Sequence, residues 1–537
     1  MANRSALLSV IDDSSFASEE QLREWTAKLA SAGLRSSGAA AHNLVVDWLA
    51  EQLDALPDVT VHERVHHIRG WQPLPPATGG GRDLARAGRL FVRGHGRDWR
   101  PIPVIGAVPY SRPTGPNGAA GELTYVPAGQ PITADIARGK IVLRDLPTHE
   151  LPLAALLNYH HYLSPDLSTH LSGSYNRAHI GTDTLLAQEL ITAAHAGAIG
   201  MIIAFDIPRD ELAGYFDPHR GEHFRIPAVF VGVDERERLR QFAGSTGSAG
   251  NSAGNKASVT VLAQADDGDD TPVRTLVATL PGQRAERVMI ETHTDGVNWV
   301  QENGPAGVLA LANFFAAQPN AARRRTIDFA LTGGALHSSR TGAESFAAEL
   351  DAAESNDTAD GDGYAYVIGL EQLGARELLP IRRGDGPGRR LEFSGDNELC
   401  AFVTQSPVLA AAATKAVRAS GLDRVAVLRS LAPPSSNLPP TAWLGGDASA
   451  FHQHLIPAIQ LTSGPWALWS AGLGERAVDF ARMRRQIVIV ADIVTATASK
   501  TRAQIAGGFA AWRADRAAGA PAFAQPGIPG WRLEDTQ

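Results

Sequence analysis

From Thr271 onward the chain alternates short apolar runs with longer helical patterns, and this alternation constrains the fold more than any other feature. Residues 275–280, 287–292, 326–332, 367–370 and 458–461 read as strands. Residues 307–318, 409–420 and 484–501 read as helices. Strands separated by helices cannot close as tight hairpins, so the series implies an α/β fold whose mostly parallel sheet is covered by helices on both faces. Ligands of such sheets bind beyond the carboxyl ends of the strands. That rule directs attention to the residues just after Thr292, Leu331, Leu370 and Leu461.

Upstream the texture differs. Residues 18–29 and 39–56 read as helices. The first opens on Ser18-Glu19-Glu20, acids that suit a helix N-terminus. The second sets Leu44, Val45, Trp48, Leu49 and Leu53 at helical spacing. Gly33–Gly38 forms a turn-rich joint, and residues 59–67 alternate like a strand. From about residue 119 short strand signals recur at 123–126, 140–143, 201–205, 228–231 and 258–262, with one helix at 185–196. The Gly/Ser/Asn stretch 244–254 reads as a loop. Residues 119–268 are therefore expected as an inserted, strand-rich module. It would split an α/β domain of residues 1–118 and 269–510, with 511–537 as a tail.

Composition narrows the function classes. The 537 residues are 44% hydrophobic and 20% charged, with a net charge of −8, which is ordinary for a globular chain. The mild acidity and the lack of a basic stripe exclude nucleic acid as the main partner. Arg323-Arg324-Arg325 reads as a solvated edge. No window of ~20 apolar residues stands out, and Met1–Val10 does not read as a signal peptide, so no membrane partner and a cytoplasmic address are expected. The Pro- and Ala-rich stretch 518–530 would suit a strap between copies in a homo-oligomer. Cys400 is the single cysteine, which excludes a disulfide within the chain and any cysteine zinc cluster. It is expected as a small buried apolar residue. Any metal must then sit on imidazole and carboxylate.

Three segments could carry such chemistry. His293-Thr294-Asp295-Gly296 follows a strand, and Gln301-Glu302-Asn303-Gly304 opens an apolar helix. An imidazole with a nearby acid fits a metal ligand and its orienting partner, and a carboxylate at a helix N-terminus stays ionised. The same residues read equally well as a polar strand end and a cap. Glu371, after strand 367–370, could converge on His293 or sit on a loop. Gly445–Ala458 holds Asp447, His452 and His454, but residues two apart on a helix diverge, which argues against His452 and His454 as a ligand pair. His337 follows strand 326–332 at the correct sheet end. No Gly-x-Ser-x-Gly elbow accompanies its neighbours Ser338 and Ser339. His160, His161, His219 and His223 read as surface residues.

In this order the motifs resemble the M28 family of zinc aminopeptidases and carboxypeptidases with an inserted protease-associated domain. His293-Thr294-Asp295 resembles the family's H-x-D. Glu302-Asn303-Gly304 resembles its D-N-G, with Glu in place of the bridging Asp. Asp447, Phe451 and Pro457 fit its S-D-H-x-x-F-x-x-x-x-I-P element. Residues 139–143, 193–205 and 226–231 are similar to stretches of the protease-associated domain. The resemblance implies a first metal on His293, Glu302 and Glu371. It also implies a Glu-Glu pair after strand 326–332, the first of which is the family's base, but Gly333-Gly334-Ala335-Leu336-His337 stands there. The late histidine falls at Ser470. The resemblance thus leaves one divalent metal, zinc, and an altered centre, with Asp295 orienting His293 and the role of base falling to His337, Asp447 or His452. Trp299, His452, Trp466, Trp469 and Ser470 would line a pocket for a small amide or peptide-like substrate. Two other readings stay open: a non-catalytic relative that binds a ligand or partner, and metal-free chemistry through His337, Asp447 or Ser470.

Overall fold

A computed structural model describes residues 13–74, 86–146, 150–177, 182–218, 223–243, 255–301, 303–337, 341–356, 363–429 and 444–519. Glu302, His219, residues 244–254 and residues 520–537 lie outside the described residues, and with them the Gly/Ser/Asn loop and most of the 518–530 stretch.

Nine strands form the main sheet. Their spatial order is Thr60–Ile68, Thr271–Leu280, Thr326–Thr332, Arg287–His293, Tyr364–Leu370, Ala458–Ser463, Cys400–Thr404, Val425–Leu428 and His160–Leu163. The four strands from Thr326–Thr332 to Ala458–Ser463 pair in parallel. Both flanks bring in antiparallel ladders. The sheet is therefore mixed, with the expected parallel arrangement at the centre, where helical crossovers connect the strands.

Side chains alternate across the strands. Val288 and Ile290 join the core under the helices Glu19–Ser31, Gly304–Ala317 and Phe480–Thr497. Met289 faces the other way, toward Phe346 and Phe451 on the helices Thr341–Asn356 and Ala448–Gln453. Gly304–Ala317 buries all its residues except Asn313 and Ala317. It starts at glycine for a steric reason. A Cβ on Gly304 would stand 2.0 Å from Thr292 Oγ1 and 2.6 Å from the Leu370 carbonyl. This close approach presses the helix N-terminus onto the ends of two central strands.

Local signals account for several boundaries. Ser18 caps the first helix by accepting from Gln21 N, and Asp479 and Thr501 cap later ones in the same way. The arginine run corrects an expectation: Arg323 and Arg325 are buried, not solvated. Arg323 Nη1 donates to the carbonyls of Phe315, Ala316 and Gln318 at the end of Gly304–Ala317. Arg325 donates to the carbonyls of Thr497 and Lys500 beyond Phe480–Thr497. Guanidinium groups satisfy the unpaired carbonyls of helix C-termini and complement their negative dipole ends. Cys400 is buried and in no disulfide, and its Sγ accepts from Arg482 Nη2 at 3.5 Å.

A second sheet takes strands Gly88–Arg93, Arg100–Ile102, Gly106–Ala107, Ala119–Val126, Lys140–Leu146, Gly200–Phe205, Ala228–Val231 and Lys256–Val261. It begins some thirty residues before the change of texture at 119. Within it, His160–Leu163 leaves to become the edge strand of the main sheet. Buried Arg177 anchors this excursion through Glu398, at 2.8 Å, and Glu377. The second sheet leans on the carboxyl end of the first. The Tyr110 hydroxyl donates to the Leu336 carbonyl, and Phe216 N donates to the Trp469 carbonyl at 2.9 Å. No described helix is long and apolar enough to cross a membrane.

Candidate active site

Strand alternation puts His293 on the same face as Met289, with Glu291 between them. Both polar side chains are buried. His293 Nδ1 donates to the Asp295 carbonyl at 2.8 Å, which leaves Nε2 toward Gln301 and Glu371. The Gln301 carboxamide lies 3.1 Å from that nitrogen, and Glu371 Oε2 lies 3.9 Å from it. Burial disfavours a charge on the imidazole, but Asp295, Asp447 and Glu371 outweigh it and push His293 up to about 10.

Glu371 is held on both oxygens. Oε1 accepts from Asp447 N at 2.9 Å and from Gln460 Nε2 at 3.3 Å, and Oε2 accepts from Gln372 Nε2 at 2.7 Å. A Cβ at Gly446 would stand 2.5 Å from Glu371 Oε1 and from the Gln460 carboxamide, so a side chain there would displace the pair. Beneath, Glu291 Oε1 accepts from the Thr332 hydroxyl at 2.9 Å. Burial, then Asp447 and Glu371, push the Glu291 carboxyl well above the usual range.

Asp295 braces the site. Its Oδ2 accepts from the Ser37 hydroxyl and from the backbone N–H groups of Gly334 and Leu336, at 3.1 and 2.8 Å. Burial opposes its charge, but His293, His42 and Ser37 hold the carboxyl well below the usual range. His42 accepts from Gly38 N on Nδ1 and approaches the Thr294 hydroxyl at 2.7 Å with Nε2. Burial lowers its pKa to about 4, so this imidazole is neutral at pH 7.

The end of the neighbouring strand Thr326–Thr332 is closed to side chains. A Cβ on Gly333 would meet Val273 Cγ1 at 2.6 Å and the Arg274 carbonyl at 2.7 Å. Gly334 has φ +99°, and its Cβ would lie 3.0 Å from Gly342 N. Gly342 in turn abuts Gly333 so closely that no Cβ fits between them. Backbone fills the space where a Glu-Glu pair was sought.

Several sequence-predicted residues lie apart from His293. The His337 ring packs edge-on against Tyr110 at 5.4 Å, and its Nε2 donates to the Arg69 carbonyl, as does that of His223. His223 is thus half-buried at the junction of the two sheets rather than on the surface, whereas His160 and His161 are exposed. His452 is fully buried against Phe509 and Trp512. His454 donates to Glu344 at 2.9 Å on the outer side of that helix. Trp466 is buried and donates to the Asn176 carbonyl, while Trp299 is half-buried. Trp469 and Ser470 belong to a turn that Asn298 grips. Its Nδ2 donates to the carbonyls of Ala467, Leu468 and Ser470, and its Oδ1 accepts from Val300 N and Gln301 N. The Ser470 hydroxyl points back to the carbonyls of Glu211 and Ala213.

Sequence reasoning missed Glu291, Gln301, Gln372, Gln460 and Asn298. For Glu291 a signal existed, since a strand places residues 289, 291 and 293 on one face.

Imidazole and carboxylate oxygens are donors of the kind a divalent cation takes. Glu291, Asp295, Glu371 and Asp447 surround a single imidazole. Glu291 Oε2 and Gln301 Oε1 are buried acceptors without hydrogen-bond partners, whereas Asp295 Oδ1 lies 3.6 Å from His293 Nδ1 on the other side of the ring. Unpaired buried acceptors are costly, and a cation would satisfy them. Among the described residues no three His, Cys, Asp or Glu side chains converge at metal-binding distance, and the expected third ligand, Glu302, is not among them. For a second cation the closed glycine turn offers no donor.

No family model matches the sequence, and no curated protein sequence matches it. Solved structures do match. The zinc aminopeptidase BSAP from Bacillus subtilis superposes with a TM-score of 0.55 at 14% identity, over 91% of this chain and 97% of that one. A peptidase M28 precursor from Shewanella amazonensis gives a TM-score of 0.59 at 14% identity, over 91% and 95%. An aminopeptidase from an Aneurinibacillus strain gives 0.51 at 15%, over 91% and 95%. These likenesses span both sheets, and the chain has the fold of the M28 zinc aminopeptidases.

Proposed function

We propose that the chain is a hydrolase that cleaves an amide or peptide-like bond in a small substrate, using one divalent cation, zinc, at His293. The observation that carries this reading is the approach of His293 Nε2 and Glu371 Oε2 to 3.9 Å, with the Gln301 carboxamide 3.1 Å from the same nitrogen. Glu302 is the expected third ligand. The cation would supply Lewis acidity toward a carbonyl oxygen. The chain's own residues do the rest. The Asp295 carbonyl fixes the His293 tautomer, and Gln460, Gln372 and the Asp447 N–H aim Glu371. The half-buried Asp447 carboxylate, at the start of a short helix whose Asp447 N–H holds Glu371, would accept a proton from attacking water.

Purified protein is expected to hold about one equivalent of zinc, and His293→Ala none. Hydrolysis of aminoacyl or acyl amide reporters should stop with chelation and return with zinc. Metal-free protein with full turnover would point instead to metal-free catalysis. The closed glycine turn favours a second reading, a protein that binds amide-like ligands without turnover. Chelator-sensitive turnover would exclude it.

A further inference from the structure

The Gln301 carboxamide occupies a position that the expected ligand set does not explain. It lies 3.1 Å from His293 Nε2, the one imidazole nitrogen not engaged by the backbone. Two donors bound tetrahedrally to zinc at about 2.1 Å stand about 3.4 Å apart. Gln301 at 3.1 Å and Glu371 at 3.9 Å bracket that separation from the same nitrogen. Gln301 is 3% exposed, and its Oε1 is a buried acceptor without a partner. Turning the carboxamide about its terminal bond exchanges that oxygen with the nitrogen beside His293. Its backbone is held in place, because Gln301 N donates to Asn298 Oδ1 at 3.1 Å and Asn298 is locked onto the Trp466–Ser470 turn. A side chain so anchored, with an unsatisfied oxygen next to an imidazole, is built as a donor.

We infer that the carboxamide oxygen of Gln301 is a ligand of the cation at His293, so that a neutral amide completes a set whose other described members are His293 and Glu371. The inference rests on the proposed one-cation reading. A neutral oxygen in place of a carboxylate lowers the charge of the ligand set, and the Lewis acidity left to the cation rises accordingly.

The test is titration of the metal-stripped full chain with Co2+, whose visible absorption reports its ligands, alongside zinc titration by calorimetry. Gln301→Ala should weaken zinc at least tenfold and shift the Co2+ bands. Gln301→Glu, nearly the same shape with an added charge, should bind at least tenfold more tightly. A residue that merely supported the loop would not give opposite signs for these two variants. If Gln301→Ala cannot fold, as read from its thermal melt in chelator, the isosteric Gln301→Glu carries the test alone. Affinities and spectra unchanged in both variants, with Glu302→Gln abolishing binding, would overturn the inference and leave the one-cation reading standing. Wild-type protein that takes up no ion would overturn both.

Discussion

Arg287–His293 and Thr326–Thr332 lie side by side, parallel and in register, with His293 opposite Thr332. Their carboxyl ends do opposite things. The first opens into imidazole, carboxylates and carboxamides, with Glu291 Oε2 and Gln301 Oε1 left without hydrogen-bond partners. The second ends in Gly333–Gly334, where strand Thr271–Leu280 on one side and Gly342 on the other leave no room for a Cβ. In an α/β sheet the position of a strand end makes it available to a site, but local backbone packing decides whether a side chain can stand there. A missing catalytic motif can therefore be a closed position rather than a changed residue.

The strongest way to break this contrast is to force side chains into the closed end. Gly333→Glu would drive a Cβ to 2.7 Å from the Arg274 carbonyl, and Gly334→Glu would strain a backbone at φ +99°. Each substitution should destabilise by roughly 3 kcal/mol, read from denaturant midpoints. Zinc stoichiometry should not rise above one. A stable Gly334→Glu protein that binds two ions would show that the site had lost only a residue, not its space.

His42 sits between the two ends, on the Thr294 hydroxyl and 3.1 Å from the place of a Gly333 Cβ. Its pKa falls from the ordinary 6.5 to about 4 on burial, so the unfolded chain binds the extra proton first. Stability from this group is fully present above pH 6.5 and is lost as pH falls toward 4, by about 3 kcal/mol. Denaturation measured across that window should show the loss in wild-type protein and a flatter acid limb in His42→Gln. A wild-type limb already flat would mean that the closed end tolerates a charge.

The open end depends on Asn298. Asn298→Ala removes three donations to the Trp466–Ser470 turn and two caps on the segment leading to Gln301. It should cost about 2 kcal/mol and weaken zinc binding, while leaving the glycine turn untouched. Hydrogen exchange localised to residues 298–301 and 466–470 would confirm that the effect stays on the open side.

The sequence made the scaffold legible because its signals are local. Strand and helix periods mark the central elements, and Ser18 marks a cap. The site was legible where chemistry is carried by residues of obvious type, as with His293 and Glu371, which the fold brings within 3.9 Å. It was not legible where geometry overrides type. Glu291 within an apolar run gives no hint of its neighbours unless strand alternation is followed, and a carboxamide such as Gln301 does not read as a donor. The divergence of His452 and His454 was legible from helical geometry, and the helix turns one into the core and the other toward Glu344. Arg323 and Arg325 looked like surface charge because nothing nearby in sequence shows which helix ends they cap. The excursion at His160–Leu163 pairs with a strand far downstream, which leaves no local trace.

The smallest expected effect tests the link between the two strand ends. Asp295 follows the open end, yet its Oδ2 accepts from Gly334 N and Leu336 N of the closed end. Ser37 adds a third donor from the N-terminal segment. Ser37→Ala removes one donor of three and leaves the two backbone N–H groups in place. The carboxylate stays charged, since His293 also favours that state. A hydrogen bond to a charged group adds about 1 kcal/mol or slightly more, so Ser37→Ala should lower the denaturation free energy by about 1 kcal/mol at pH 7. Zinc affinity should change less than twofold, because Ser37 touches the brace and not the Nε2 side of His293. A large loss of zinc with little loss of stability would reverse the assignment, making Asp295 part of the cation's own environment rather than the tie between an open strand end and a closed one.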